Sequence, residues 1–253
     1  MCTGCSSRTL ILILLLALSA GSVVGCTGRR WDYVALGDST PDGYGVERSY
    51  VDYYAEFIEA DLDVEVEVHN FSRSGQTAAT MLKRIQSDED LRAALRDAEV
   101  ITVWTGWNDL GKPLDEFRGG TCGGEDNLDC IREAVDRLNW NLDGVLDEIV
   151  SLASPQDTLI RIGDTGIPFV ATWQHHGWFE TLQGPCYEVW RAHLIEAAEA
   201  RGITVVYTYH VLNGPDGDEK IGGIYLDDGV HFNDGGHRLV AELHRKAGYD
   251  HAP

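Results

Sequence analysis

The feature that most constrains this chain is a regular alternation, from Tyr33 to Ala247, of short apolar runs with longer stretches of helical periodicity. Tyr33-Val34-Ala35-Leu36, Val100-Ile101-Thr102-Val103-Trp104, Leu159-Ile160-Arg161-Ile162 and Ile203-Thr204-Val205-Val206 are short and rich in β-branched residues, and they read as buried strands. Val64-Glu65-Val66-Glu67-Val68 alternates with period two, as a half-covered strand near a sheet edge does. Residues 50–58, 77–85, 91–98, 129–152, 189–200 and 235–247 carry apolar positions at helical spacing; Trp140 and Leu142, in the longest stretch, are assigned to the core. Strands alternating with helices imply a parallel sheet covered on both faces. No repeat or linker divides residues 31–253, so they are read as one domain. Sites in such folds lie beyond the carboxyl ends of the strands, which directs attention to the polar residues there.

Four clusters occupy those positions. Gly37-Asp38-Ser39 follows the first strand and can present a hydroxyl in the crevice; Asn70-Phe71-Ser72-Arg73-Ser74-Gly75-Gln76-Thr77 follows the second. Gly106-Trp107-Asn108-Asp109 follows the third, where an Asn-Asp pair ordinarily caps a loop. Asp228-Gly229-Val230-His231, continuing to His237, precedes the last helix. An acid three residues before a histidine suits a turn in which the carboxylate accepts the imidazole N–H. Each cluster alone is an ordinary turn.

Taken together and in this order, the four resemble the block pattern of the SGNH (GDSL-type) esterase and lipase superfamily, over essentially all of residues 31–247. The resemblance implies a flavodoxin-like three-layer α/β/α sandwich on a five-stranded parallel sheet, which agrees with the five strands read above. It implies Ser39 as nucleophile, Asp228 and His231 as the other triad members, and Gly75 and Asn108, with the Ser39 N–H, as oxyanion donors. Thr40 stands where many members have an aliphatic residue, and Phe232 replaces a frequent proline; neither change removes a chemical group. The chemistry is coherent on its own terms. Serine needs a base, histidine titrates in the right range, a carboxylate fixes its tautomer, and the oxyanion needs donors aimed in advance. The expected activity is hydrolysis of lipid, acyl or O-acetyl-carbohydrate esters through an acyl-enzyme, with no cofactor. Transfer to or deacetylation of a glycan is the alternative within the fold, and a catalytically silent binding protein the alternative outside enzymes.

Other candidates yield less. The segment from Trp173 through Trp178 to Trp190, with Trp107, is either a substrate wall or a satellite core packing its own aromatics. Adjacent His175 and His176 point in different directions and lack a third ligand, so no metal is expected. Asp216-Gly217-Asp218-Glu219 lacks calcium-loop spacing. His237 is read as a packing or surface residue, and Asp38 and Asp109 as hydrogen-bonding supports.

The chain begins with an address. Arg8 precedes an apolar run from Leu10 to Ala20 that is too short to span a membrane comfortably, and Val23-Val24-Gly25-Cys26 resembles the lipobox of bacterial lipoproteins. Residues 1–25 are therefore expected to be a signal peptide and 26–30 a tether carrying a lipidated Cys26, which places the enzyme outside the cytoplasm, membrane-anchored or secreted. Of the six cysteines, Cys122, Cys130 and Cys186 then remain in an oxidising compartment. The turn-rich residues between Cys122 and Cys130 favour that disulfide with Cys186 buried and free; the other two pairings stay open. With 41 acidic against 20 basic residues and a formal charge of −21, the chain has no means of neutralising a row of phosphates, so nucleic acid is not an expected partner. The expected partners are a small-molecule or glycan ester and, through Cys26, a membrane.

Overall fold

The computed structural model describes residues 29–220 and 222–250. The signal segment and Cys26 lie outside the described residues. Five strands form one sheet: β1 (Arg29–Gly37), β2 (Val64–Asn70), β3 (Val100–Trp104), β4 (Leu159–Gly163) and β5 (Thr204–Val206). All pair in parallel, in the order β2-β1-β3-β4-β5. The inner strands β3 and β4 are buried at every position, which is why they read as unbroken apolar runs. β2 is the edge strand its alternating glutamates announce.

Helices cover both faces. Val34 and Leu36, with Ile101, Val103, Ile160 and Ile162, face a core closed by α3 (Ala78–Ser87), α4 (Glu89–Asp97), α5 (Trp107–Arg118), α6 (Asp129–Leu152) and α9 (Val189–Glu199). The alternate residues Tyr33, Ala35, Val100 and Trp104 face α2 (Tyr50–Leu62) and α11 (Asp234–Lys246). The remaining helices are short: α1 (Ser39–Asp42), α7 (Val170–His175), α8 (Phe179–Leu182) and α10 (Tyr209–Asn213), with a π-helical turn over Gln183–Glu188. Local capping sets the longer ones. Ser49 and Asp52 form a capping box at α2, the Thr77 hydroxyl accepts from Thr80 N–H at α3, and Asn233 accepts from Gly236 N–H at α11.

The chain after β1 turns to the α2/α11 face and the chain after β3 to the opposite face. The crevice between these two strands is the switch point of the sheet, where ligands bind in doubly wound folds. Behind it, β4 contributes Arg161, 2% exposed, toward the α2/α11 face. Its guanidinium donates to Tyr54 Oη and to the His244 and Gly248 carbonyls at the end of α11. The negative end of a helix dipole thus takes the place of a carboxylate.

Leu142 is buried as expected, but Trp140 is 72% exposed and corrects the core assignment. Leu138, Leu142 and Val145 mark the buried stripe of α6, and residue 140 falls two positions off it, on the opposite side. Residues 107–118, to which the sequence assigns no element and where the Asn108-Asp109 pair suggests only a loop cap, form helix α5 despite Gly111 and Pro113. The weak signal there is Leu110, Leu114 and Phe117 on one face. β1 begins at Arg29, pairing with Val64, so the last two residues of the expected tether, Arg29 and Arg30, belong to the sheet. Cys122 and Cys130 are bonded, with Cα atoms 4.8 Å apart, across the turn joining α5 to α6. Cys186 is free and buried, and burial pushes its thiol up to about 12.

Candidate active site

Ser39 opens α1 at the crest of β1. The strand must turn sharply to reach it: a Cβ at Gly37 would lie 2.4 Å from Pro41 Cγ and 2.5 Å from the Trp104 carbonyl oxygen, so only glycine fits. Asp38 is the N-cap, its Oδ1 accepting from Thr40 N–H at 3.0 Å. As the first residue of a helix, Ser39 directs its N–H away from any intrahelical acceptor.

The loop after β2 is tied to this turn from several directions. Arg73 N–H and Gln76 Nε2 donate to the Gly37 carbonyl at 3.0 and 3.1 Å. Asn70 Nδ2 donates to Pro41 O at 2.7 Å, and Ser74 N–H to Asp42 Oδ2 at 2.9 Å. Gly75 sits within this tied segment at φ +79°, in the left-handed region, with open space where a side chain would project. The loop after β3 is joined in turn. Asn108 Nδ2 donates to Gln76 O at 3.1 Å, leaving its second amide N–H for another acceptor, and Asp109 Oδ2 accepts from Ala78 N–H at 2.9 Å. Asp38 and Asp109 therefore serve as the supports expected of them. Burial pushes their carboxyl groups up, to about 7 and about 6.

The fourth cluster arrives from the α2/α11 face. Asp228 Oδ1 accepts from the backbone N–H groups of Val230 (2.8 Å) and His231 (3.0 Å), folding the loop into a tight turn. Its Oδ2 lies 2.7 Å from His231 Nδ1, and His231 Nε2 lies 3.0 Å from Ser39 Oγ. Partial burial disfavours the ionised Asp228 carboxyl, but hydrogen bonds from the His231 ring and the two backbone N–H groups outweigh it and hold the group below the usual carboxylate range. The Tyr44 ring lies over the imidazole, centroids 4.3 Å apart and tilted by 36°. Hydroxyl, imidazole and carboxylate thus stand in series, 192 and 3 residues apart in sequence.

Ser39 and His231 border a cleft of about 220 Å³ whose walls include Trp104, Trp107, Asn108, Phe169, Tyr225 and Phe232. Gly75 stands outside this lining, in the tied loop beside it. Of the three tryptophans expected to bind substrate, only Trp107 reaches the cleft. It is held by an indole N–H bond to Gly166 O at 2.9 Å and by stacking on Tyr187. Trp173 is fully buried beneath it, edge-on to Trp107, and cannot touch a ligand. Trp178 packs against Phe117 and His176 away from the cleft. The segment therefore packs its aromatics into the core on the α6 face and not as a separate satellite, its large rings directed inward. Sequence reasoning missed Phe169, Pro168, Gly111, Tyr44 and Tyr225. The cluster Thr165-Gly166-Ile167-Pro168-Phe169 follows β4 and had the position, though not the polar character, that marked the other strand ends.

His175 and His176 meet edge to face at the surface, their rings 80° apart. Among the described residues, the metal-ligating side chains that converge are instead Asp32, Glu67 and His69, at the β1–β2 edge. There His69 already pairs with Asp32, and Glu67 with Arg30.

A family model described as GDSL-like Lipase/Acylhydrolase matches residues 35–239. Among solved structures, a lipase from a goat rumen metagenome is 26% identical with a TM-score of 0.71, covering 88% of this chain and 100% of its own. An acetyl xylan esterase from Geobacillus stearothermophilus is 18% identical with a TM-score of 0.61, over 88% of this chain and 97% of that one. A psychrotrophic esterase from a Pseudoalteromonas species shares 15% identity and a TM-score of 0.56, over 85% and 95% respectively. The last two likenesses concern the fold alone. No match was found among curated proteins.

Proposed function

The chain belongs to the GDSL-like lipase/acylhydrolase family, and from that premise we propose that it hydrolyses carboxylic esters through an acyl-enzyme on Ser39. The observation that carries the reading is the unbroken series from Ser39 Oγ to His231 Nε2 at 3.0 Å and from His231 Nδ1 to Asp228 Oδ2 at 2.7 Å. With the Nδ1–H donated to Asp228, the imidazole presents the Nε2 lone pair to the serine hydroxyl. As Oγ attacks the ester carbon, its proton passes to Nε2, and the ionised Asp228 stabilises the imidazolium without taking the proton. The oxyanion is received by the Ser39 N–H at the helix start, the Gly75 N–H and the free amide N–H of Asn108, groups fixed before the reaction begins. His231 then gives its proton to the leaving alcohol oxygen. Water enters by the same route in reverse and releases the acid, regenerating Ser39.

The apolar, aromatic cleft wall favours esters with an apolar acyl group. Export, with lipid on Cys26, is part of the same proposal and rests on the signal-like residues 1–25. Among the described residues no helix is long and apolar enough to cross a membrane. Hydrolysis of p-nitrophenyl acetate by wild-type protein and by Ser39→Ala tests the chemistry. The variant is expected to lose at least about 10⁴-fold in kcat while melting at nearly the wild-type temperature. Full activity in Ser39→Ala would overturn the assignment.

A further inference from the structure

The cleft wall contributed by α5 contains a residue with no side chain. Gly111 stands three positions after Asn108 and four after Trp107, so the three share a helix face, and all border the cleft. Glycine within a helix is unfavourable relative to alanine, because it forfeits backbone entropy. Gly144, inside α6, has a steric reason to be glycine: a Cβ there would lie 2.7 Å from Leu82 Cδ2. Gly166, facing the same cleft, has one too, since a Cβ would lie 2.6 Å from Asn213 Oδ1. Gly111 has none; a Cβ built on it meets no atom within 4 Å. It is an exposed residue that borders the cleft, with open space where a Cβ would stand.

We infer that Gly111 determines specificity, its missing side chain leaving room for the acyl chain of the ester; the inference rests on the ester-hydrolase reading above. Charge and proton traffic fix which part of the substrate lies on which side. His231 must reach the leaving oxygen, so the alcohol lies on its side, where Tyr44, Tyr225 and Val230 form the rim. The oxyanion turns toward Asn108 and the Gly75 loop. The acyl chain is left the groove between α5 and the loop after β4, bordered by Trp107, Gly111, Pro168 and Phe169. The whole cleft measures about 220 Å³. On the scale where a cavity of about 150 Å³ accommodates benzene, it holds roughly nine non-hydrogen atoms of the ester, shared between its alcohol and acyl sides, so an octanoyl chain presses on the acyl groove where an acetyl group does not. A side chain at position 111 would shorten that groove from its open end.

The test compares kcat/KM for p-nitrophenyl acetate and p-nitrophenyl octanoate in wild type, Gly111→Ala and Gly111→Leu, together with thermal midpoints. The octanoate-to-acetate ratio is expected to fall by about tenfold or more in Gly111→Leu and by about twofold in Gly111→Ala. Gly111→Ala is expected to melt above wild type, since alanine is the better helix former. An unchanged ratio in both variants, with the esters still hydrolysed, overturns the assignment of Gly111 alone. If Gly111→Leu does not fold, the Gly111→Ala ratio decides. Discrimination between p-nitrophenyl and 2-naphthyl acetates but not between acyl lengths means that the groove holds the alcohol, and the inference falls. Wild-type protein that hydrolyses neither ester overturns the ester-hydrolase reading itself, and this inference with it.

Discussion

Two histidines six positions apart divide between chemistry and structure, and their surroundings say which does which. His231 is partly exposed, with one ring nitrogen on Asp228 and the other on Ser39. His237 is 1% exposed, and its Nδ1 accepts the Tyr50 N–H at 3.1 Å, one of the donors left over at the start of α2. Burial lowers the His237 pKa to about 4. At neutral pH it is an acceptor already in use, not an available base. His231→Ala is therefore expected to remove about 10³-fold or more of kcat with little loss of stability. His237→Ala is expected to keep most of the activity but lose about 2 kcal/mol, because a buried N–H loses its partner. The deficit has a pH signature. Below the ordinary histidine pKa of about 6.5 the unfolded chain takes up a proton that folded His237 refuses, so this residue favours unfolding increasingly as pH falls toward 4. The deficit of His237→Ala should accordingly shrink between pH 7.5 and pH 5 in thermal melts, and activity loss in His237→Ala instead of His231→Ala would reverse the assignment. The Asp228–His231 spacing was legible because the pair is local. Tyr44 over His231 was not, since nothing in a sequence marks a contact spanning most of the chain. Gly111 was silent for another reason: it acts through a side chain it lacks.

At the scale of elements, the strands and α6 were legible because burial on two faces or one stripe leaves a plain apolar period. α5 was not, because Gly111 and Pro113 read as breakers while its apolar stripe is only three residues long. The short turns α7 and α8 and the π-helical turn carry too few residues for any period to show. The Cys122–Cys130 bond was favoured from the turn residues between the two cysteines, and it ties the loop that follows α5, the helix carrying Asn108, to the first turn of α6. The loop keeps bonds of its own: Asn127 accepts from Cys122 N–H at 2.9 Å and donates to Phe117 O at 2.8 Å. Closing a loop of this length is worth about 2.5 kcal/mol in the chain-entropy model. The double variant Cys122→Ser/Cys130→Ser should lose roughly that amount in urea unfolding while still hydrolysing esters at low temperature. Unchanged unfolding free energy would mean that the loop's own hydrogen bonds already hold the connection.

For the whole molecule, the direction of the sheet decides what an anchored enzyme can reach. All five strands run the same way, so Arg29 at the start of β1 and Ser39 just beyond its end lie at opposite sides of the domain. The eight residue steps of β1 from Arg29 to Gly37 rise about 26 Å. Lipid on Cys26, three residues before Arg29, would hold the base of the sheet against the bilayer and turn the cleft away from it. An enzyme tethered so meets esters approaching from the surroundings, not lipids of its own membrane. Wild-type protein is expected to partition with membranes through a high-salt wash, and Cys26→Ser to be released or to retain its signal segment. A soluble wild-type product with an unmodified N-terminus would mean plain secretion. The central claim, that Ser39 is the nucleophile, is tested most directly by reacting the wild-type protein with a fluorophosphonate and locating the adduct by peptide mass spectrometry. One phosphonyl group on the peptide containing Ser39, absent from His231→Ala under the same conditions, is the predicted result; an adduct on any other residue, or none, would contradict it.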